Sequence, residues 1–206
     1  VPWLATDYSW QDNNKKLLFT IRSGVKWSDG KPFTAHDVAY TFNLKKKYPA
    51  LDTRNSWGFL ESVDAVSDTK LVVSFNRVYV PGFGAIAEQV IIPKHIWKEL
   101  EDPLKFSNPN PVGTGPFTEV LRFNSQVWEL GKNSNYWQPG KPHIEKLIFP
   151  THSNNEQTTL SLLSGKLDWA GAFIPAIERI FVAKDPEHHH YCCLLYTSPS
   201  PRDSSQ

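Results

Sequence analysis

One short run in the first quarter of the chain constrains the fold most, because it specifies a strand, a turn and a helix start in succession. From Leu17 to Arg22, apolar residues alternate with their neighbours, as in a half-buried strand. Ser28-Asp29-Gly30 then forms a turn signal, in which glycine accepts a positive φ. Thr34 and Asp37 have the spacing of a capping box, with Asp in place of the usual Glu. Apolar residues at helical spacing follow, so this pattern predicts a helix over residues 35–47.

Further strands are predicted from alternation and from turn residues. Ser67-Asp68-Thr69 separates two alternating runs, which indicates a β-hairpin whose inward face carries Leu71, Val73 and Phe75. A helix is predicted from Pro93, which suits a first helical position, to Leu100. The predicted strands are residues 17–22, 61–66, 71–75, 117–121, 127–130, 144–149 and 167–170.

A second capping box lies near the C-terminal end. Ser153 with Glu156 predicts a helix that turns Leu160 and Leu163 inward, and Gly165 suits the C-terminal cap of this helix. Strands and helices otherwise mix without a βαβ rhythm, so α+β is predicted for most of the chain. The last strand–helix–strand unit is the exception and would add parallel strands to a larger sheet, which makes the predicted class mixed α+β and α/β.

Charge and hydropathy exclude several classes of protein. The chain has 22 basic and 21 acidic residues, and a net charge of +1 argues against a nucleic-acid-binding face. No apolar run approaches the roughly 18 residues that a membrane helix needs. The 8 tryptophans leave two interpretations open. They pack in the core, or some of them form platforms for sugars or peptide side chains.

The sequence offers no catalytic or metal constellation. It lacks a Gly-x-Ser-x-Gly elbow, and no cysteine has a plausible catalytic partner. Consecutive histidines at His188-His189-His190 point in different directions on regular backbone, whereas the ligands of a metal must converge. We therefore expect no enzyme, no cofactor and no metal site. Surface or cap positions are expected for the scattered histidines His36, His95, His143 and His152.

Several blocks, in order along the chain, resemble one family. The longest is Gly24-Val25-Lys26-Trp27-Ser28-Asp29-Gly30-Lys31-Pro32-Phe33-Thr34-Ala35-His36-Asp37-Val38. Each block alone is weak evidence, but the set of blocks in this order is similar to the family-5 solute-binding proteins. These are the peptide, dipeptide, nickel and oligosaccharide receptors of ABC importers. The other blocks are Leu4 to Trp10, Leu17 to Arg22, Val112 to Phe117, Asn135-Tyr136-Trp137 with Gly140-Lys141-Pro142, and Leu160 to Trp169.

The resemblance implies a periplasmic-binding-protein-like fold of class II with an extra subdomain, of which this chain would hold the first lobe only. Residues 1–138 would be mostly the side subdomain of that lobe. Residues 139–191 would re-enter its ligand-facing part. Residues 192–206, which include Cys192 and Cys193, resemble a translated sequencing adapter and are predicted to be an artefact.

The same resemblance implies where the protein works and with what. The chain has no Met, so it is expected to be a fragment whose signal peptide, if the full protein has one, lies upstream. An extracytoplasmic location, periplasmic or anchored at the cell surface, follows from the family. ABC permease subunits would be its partners, and it would act as a monomer.

Ligand contacts are expected in the re-entry segment, from Trp169 to Phe173. Trp169 and Phe173 would stack on a sugar face or line a side-chain pocket. Ala170 and Gly171 belong to a small-residue loop, in which the glycine would let a ligand approach the backbone. The alternative is that both aromatic rings pack between sheet and helix. Trp57 and Gln89 are weaker candidates.

The class of ligand is left open between two members of the family. Oligopeptide is the default, since peptide receptors use extended-strand hydrogen bonds and charge anchors for the termini. A β-linked oligosaccharide is the alternative, because residues 45–52 look similar to sugar-binding members and the tryptophans suit stacking. Nickel is the least favoured ligand. A non-transport interaction domain is the hypothesis outside the family.

Overall fold

The computed structural model describes residues 3–191, and its first compact unit ends at Phe149. An antiparallel sheet in the order β1-β2-β4-β3 forms the centre of this unit. The strands predicted at residues 17–22, 61–66 and 71–75 are confirmed, and so is their hairpin. Strand β1 is not among the predicted strands, although Tyr8 and Trp10 alternate in it with polar residues. The four strands are β1 (Ala5–Gln11), β2 (Lys16–Ile21), β3 (Leu60–Ser67) and β4 (Lys70–Phe75).

One face of this sheet carries the core, and helix α1 (Ala35–Lys47) packs on β3 and β4. Phe42 of α1 is fully buried, and Trp27 from the preceding turn is almost so. Each such side chain contributes about 1.5–3 kcal/mol by its removal from water. The predicted inward residues of β2 and β4 are confirmed as buried: Leu17, Phe19, Ile21, Leu71, Val73 and Phe75.

The predicted capping box of α1 is present. The Thr34 hydroxyl accepts a hydrogen bond from the backbone N–H of His36 at 3.2 Å, and the backbone N–H of Thr34 donates to Oδ2 of Asp37 at 2.9 Å. Asp37 is also part of a longer-range contact, since its Oδ1 accepts from the backbone N–H of Lys94 at 3.0 Å. With only 5% of its surface exposed, Asp37 joins the start of α1 to a segment 57 residues away.

A second contact fixes the same segment to α1. The Thr41 hydroxyl donates to the carbonyl of Asp37 at 2.8 Å and accepts from the backbone N–H of Ile92 at 3.1 Å. The helix that follows, α3 (Lys94–Trp97), is shorter than the predicted helix from Pro93 to Leu100. Pro93 has extended backbone and precedes the helix, so its ring stands at the N-cap and not inside the first turn. Between β4 and α3 lies the short helix α2 (Gly82–Ala87).

The turn before α1 anchors two later loops. Gly30 has a φ of +86°, and its N–H donates to the carbonyl of Trp27 at 2.9 Å, as the turn signal predicts. Ser28 exchanges two hydrogen bonds with Gly113, and its carbonyl accepts from the side-chain amide of Asn135 at 3.0 Å. Three of the blocks recognised in the sequence therefore meet at this turn.

Asp29 of this turn forms an ion pair with His95. Nε2 of His95 lies 2.7 Å from Oδ2 of Asp29, and the backbone N–H of Lys31 donates to Oδ1 of the same carboxylate at 3.1 Å. Burial acts to raise the pKa of Asp29, but these hydrogen bonds and the positive charges of His95 and Lys31 hold that pKa below its ordinary value of 3.8.

A second sheet completes the first unit, in the order β5-β6-β7. Strands β5 and β6 pair antiparallel, with Phe117 opposite Lys132 and Phe123 opposite Trp128. This confirms the pair of strands predicted at 117–121 and 127–130 and the strand predicted at 144–149. The strands are β5 (Phe117–Phe123), β6 (Val127–Lys132) and β7 (Lys146–Pro150).

The second unit begins at Pro150 and contains α4 (Asn155–Leu163) and α5 (Ile177–Ile180). The N-cap of α4 is Asn154, whose side chain accepts from the backbone N–H of Gln157 at 2.9 Å. The predicted cap at Ser153 is therefore wrong by one residue.

The end of α4 follows its sequence signal. Gly165 has a φ of +69°, and its N–H donates to the carbonyl of Leu162, while that of Lys166 donates to Ser161. This is a Schellman motif, so the predicted glycine cap is confirmed. Leu162 is the residue of α4 that is buried, whereas Leu160 is 66% exposed, contrary to prediction.

The strand predicted at 167–170 does not form. Leu167 and Ala170 instead pack on a small cluster built from Leu162, Ile174 and Ile177. The division predicted at 138/139 concerns which part faces a ligand and stays a prediction, while the compact units divide at 149/150.

We predict that Asp37→Ala lowers the free energy of unfolding of the 206-residue chain by about 2–3 kcal/mol, because two part-buried backbone N–H groups, those of Thr34 and Lys94, lose their acceptor. Urea unfolding followed by tryptophan fluorescence measures this. Asp64→Ala is the control, since Asp64 is exposed on β3 and accepts from the neighbouring Ser62 hydroxyl. Equal losses in the two variants would contradict the bridging role of Asp37.

We predict a pH-dependent effect of Asp29→Asn. A carboxyl whose pKa is lower in the folded state adds stability above its ordinary pKa, and this contribution is lost as pH falls through the folded pKa. The variant should be less stable at pH 7, by under about 1 kcal/mol because the pair is partly exposed. The difference should vanish in acid, as measured by thermal unfolding across pH. Asp68→Asn, at the more exposed pair with His36, should show little difference at any pH.

Candidate ligand-binding segments

The predicted ligand segment lies between α4 and α5 and is held by two apolar anchors. Ala170 packs on the cluster of buried Leu162, Ile174 and Ile177, and Ile174 is itself 7% exposed. The backbone from Trp169 to Ile174 is therefore fixed at both ends, although it has no regular secondary structure.

The two aromatic side chains, each adjacent in sequence to one of these anchors, face outward. Trp169 is 75% exposed and Phe173 is 73% exposed, so within residues 3–191 neither ring is packed between sheet and helix. The Trp169 ring lies close to Gly171, where an added Cβ would come within 3.3 Å of Cη2 of the indole. Glycine at 171 therefore lets the indole lie against the backbone. This leaves two apolar faces that a ligand ring or side chain can contact.

The backbone of this segment keeps its hydrogen-bonding capacity. Within the described part of the chain, residues 167–175 take part in no backbone–backbone hydrogen bond and in no hydrogen bond with a side chain. Apart from Pro175, each of these residues offers both an N–H and a carbonyl. Exposed aromatic faces beside unpaired backbone groups suit a ligand that has both apolar parts and amide or hydroxyl groups.

The structure brings the two weaker candidates, Trp57 and Gln89, to neighbouring residues of α1. Nε1 of Trp57 donates to the carbonyl of Phe42 at 2.8 Å, and the ammonium of Lys46 lies 4.4 Å from the centre of its ring. Oε1 of Gln89 accepts a hydrogen bond from the ammonium of Lys45. Both side chains are thus engaged with the C-terminal half of α1.

A buried polar cluster beside these two residues is not signalled by the sequence pattern. Lys45 is 9% exposed, and burial lowers its pKa against the opposing charge of Asp52. The Lys45 ammonium lies 4.0 Å from Oδ1 of Asp52, while Oδ2 accepts from the backbone N–H of Trp57 at 3.0 Å. Among the described residues, Oδ1 of Asp52 and the hydroxyl of buried Ser56 lack a hydrogen-bond partner. The stretch 45–52, singled out above for its likeness to sugar-binding members, contributes two of these groups.

The histidine side chains described next each hydrogen-bond to, or stack on, a different residue of the chain. His188 lies 3.0 Å from Asp185, and the ring of His189 stacks on Phe181 with 4.0 Å between the ring centres. His152 shares a hydrogen bond with Ser161 at 2.8 Å. Over residues 3–191, no three His, Cys, Asp or Glu side chains converge on a point where a metal ion would fit. Within the same range, no helix combines the length and apolar character that crossing a membrane requires.

Comparison with known families gives one match over nearly the whole chain. The model described as bacterial extracellular solute-binding proteins, family 5 Middle, matches residues 1–203. The match runs past Tyr191 into the predicted adapter-derived tail, which lies outside the described residues and whose origin stays a prediction.

Individual relatives agree with this match. The chain is 28% identical to the nickel-binding periplasmic protein of Escherichia coli, over 82% of this chain and 32% of the relative. It is also 28% identical to the oligopeptide-binding protein OppA of Bacillus subtilis, over 82% of this chain and 34% of the relative. The mannohexaose-bound periplasmic oligopeptide-binding protein of Thermotoga maritima has a similar fold. That structure shares 31% identity and a TM-score of 0.79, over 89% of this chain and 34% of that chain.

These names describe binding proteins and not enzymes, and the chain spans about a third of the length of each relative. The periplasmic-binding-protein-like fold expected from the sequence is confirmed by the structural likeness. With the family model matching 203 of 206 residues and the fold in agreement, the chain belongs to family 5 of the bacterial extracellular solute-binding proteins.

Proposed function

We propose that these residues belong to the substrate-binding subunit of an ABC importer, which captures oligopeptides outside the cytoplasm. The subunit acts as a monomer and delivers its ligand to ABC permease subunits. Family membership supports a capture role, and relatives that are named oligopeptide-binding proteins support the ligand class. We also propose that residues 139–191 face the ligand, whereas residues 1–138 form the side subdomain.

One observation carries the oligopeptide assignment. The backbone N–H and carbonyl groups of residues 167–175 are unpaired within the described chain, and Trp169 and Phe173 stand exposed beside them. An extended peptide binds through main-chain hydrogen bonds, while pockets for its side chains add selectivity. Ala170 and Ile174 hold this segment in place, which limits the entropy that a bound peptide would cost.

A β-linked oligosaccharide is the second candidate. The exposed rings of Trp169 and Phe173 are also suited to stacking on pyranose faces. The Thermotoga maritima relative, although named an oligopeptide-binding protein, has mannohexaose bound. The two ligand classes differ in one respect that an experiment can use, because a peptide needs the unpaired backbone groups more than a stacked sugar does.

We predict that the complete gene product containing these residues is stabilised by peptides of two to five residues. A ligand at about one hundred times its Kd stabilises the native state by about 2.7 kcal/mol, which thermal unfolding detects. Cellotetraose and mannohexaose are the sugar arm of the panel. A shift with sugars alone would replace the peptide assignment with the second candidate. No shift with either class would contradict both and favour an interaction domain without a transport role.

We further predict that Trp169→Ala weakens binding of the active ligand by about tenfold, equivalent to about 1.4 kcal/mol, because a stacking face is lost. Phe173→Ala should act in the same direction. Phe123→Ala is the matched control, since Phe123 is an aromatic residue of similar exposure, 77%, on β5. Isothermal titration calorimetry measures the three affinities. Unchanged affinity in both Trp169→Ala and Phe173→Ala would remove this segment from the binding site.

A further inference from the structure

The first unit contains an open groove that the proposed function does not use. Its volume is about 680 Å³, and it is formed where β1, β2 and the β3–β4 turn meet the segment that follows β6. No residue of the Trp169–Phe173 segment lines it. The side chains that matter for its chemistry are those of Thr6, Thr20, Arg22, Ser23, Thr69 and Trp137.

Four of these side chains are neutral hydroxyls, and two of them are uncommitted. The Thr6 hydroxyl donates to the carbonyl of Thr20 at 3.2 Å, and the Thr20 hydroxyl accepts from the ammonium of Lys70 at 2.8 Å. Among the described residues, the hydroxyls of Ser23 and Thr69 make no hydrogen bond. Each hydroxyl both donates and accepts, so this wall complements a ligand whose own polar groups do both.

Arg22 and Trp137 contribute a stacked, pre-ordered pair to the same groove. The guanidinium carbon of Arg22 lies 4.2 Å from the centre of the Trp137 ring, and Nε of Arg22 donates to the carbonyl of Trp3 at 2.9 Å. The Trp3 ring meets that of Trp137 edge-on, with 5.5 Å between the ring centres. The stacked pair is therefore held in one orientation before any ligand arrives, which reduces the entropic cost of binding.

The lining also excludes some ligand classes. Among residues 3–191, no Asp or Glu lines the groove, so this part of the chain provides no partner there for an amino terminus or a basic side chain. Strand β2, which contributes Thr20 and Ile21 to the lining, lies between β1 and β4 and offers no free edge for an extended peptide. What remains is a set of hydroxyls that shares the groove with a planar aromatic–guanidinium pair, a combination that matches the alternating hydroxyl rim and apolar faces of a pyranose.

We propose that this groove is a carbohydrate subsite that takes a disaccharide-sized part of a neutral oligosaccharide. It is separate from the ligand segment of the proposed function, and either assignment stands without the other. Binding would be weak and fast, because the groove is open to solvent and covers only one side of the sugar.

The test uses the purified 206-residue chain, with mannohexaose and cellotetraose as probes in separate NMR titrations of the backbone amides. At least one sugar should shift the amides of Thr6, Gly24 and Thr69. Thr69→Val removes one uncommitted hydroxyl at similar volume and should raise the Kd about three- to tenfold. Ser23→Phe fills the groove and should abolish the shifts.

Two controls separate this site from the other one. Ser125→Phe makes the same change in the exposed β5–β6 turn and should leave the titration unaltered. The amides of residues 169–173 are followed in the same titration, so that shifts at the groove are separated from any shift in the proposed ligand segment. Circular dichroism confirms that each variant is folded. The proposal is overturned if neither sugar shifts the groove amides, if Ser23→Phe still binds, or if trialanine produces the same shifts.

Discussion

The buried carboxylate of Asp37 is the constraint on which the architecture of the first unit depends. One oxygen closes the capping box with Thr34, and the other accepts from the backbone of Lys94. A carboxylate that is almost fully buried is costly unless its oxygens are satisfied, so the helix start and the Lys94 segment have to form together. Thr41 repeats this arrangement one turn further along, where its hydroxyl holds Ile92. The sheet provides the apolar surface, and these polar contacts decide how the later chain crosses it.

The turn at Ser28-Asp29-Gly30, which precedes α1, also holds distant segments of the first unit together. Ser28 bonds to Gly113 and to Asn135, and Asp29 pairs with His95. The block by which the family is recognised is therefore engaged in internal contacts. The second unit, in contrast, has a segment whose backbone and aromatic side chains are not engaged in this way, which is why the proposed function places ligand contacts there.

The sequence predicts those features that depend on neighbouring residues. Helix α1 has the predicted bounds because a capping box and apolar residues at helical spacing lie within one run. The alternation in β4 correctly identifies its buried face. Local patterns do not identify a helix start when two adjacent residues are equally suitable as the N-cap. Ser153 and Asn154 are adjacent capping residues, and only the fold selects the second. Strand β1 is missed because its alternation rests on only two large apolar residues, Tyr8 and Trp10. The strand at 167–170 is absent because its apolar residues contact a cluster instead of a partner strand.

For the candidate site, the sequence predicts which types of residue are present but not which of them are exposed. An indole and a phenyl ring around small residues indicate a contact surface, but their exposure depends on Ala170 and Ile174 taking the inward positions. Packing and exposure are thus assigned to different residues of this segment. Because Trp169 and Phe173 add little to the packing of the second unit, mutations at these two positions are nearly free of a folding penalty. Under the proposed function, selection for a different ligand can therefore act on them directly, while the inward residues keep the loop in place for each new combination.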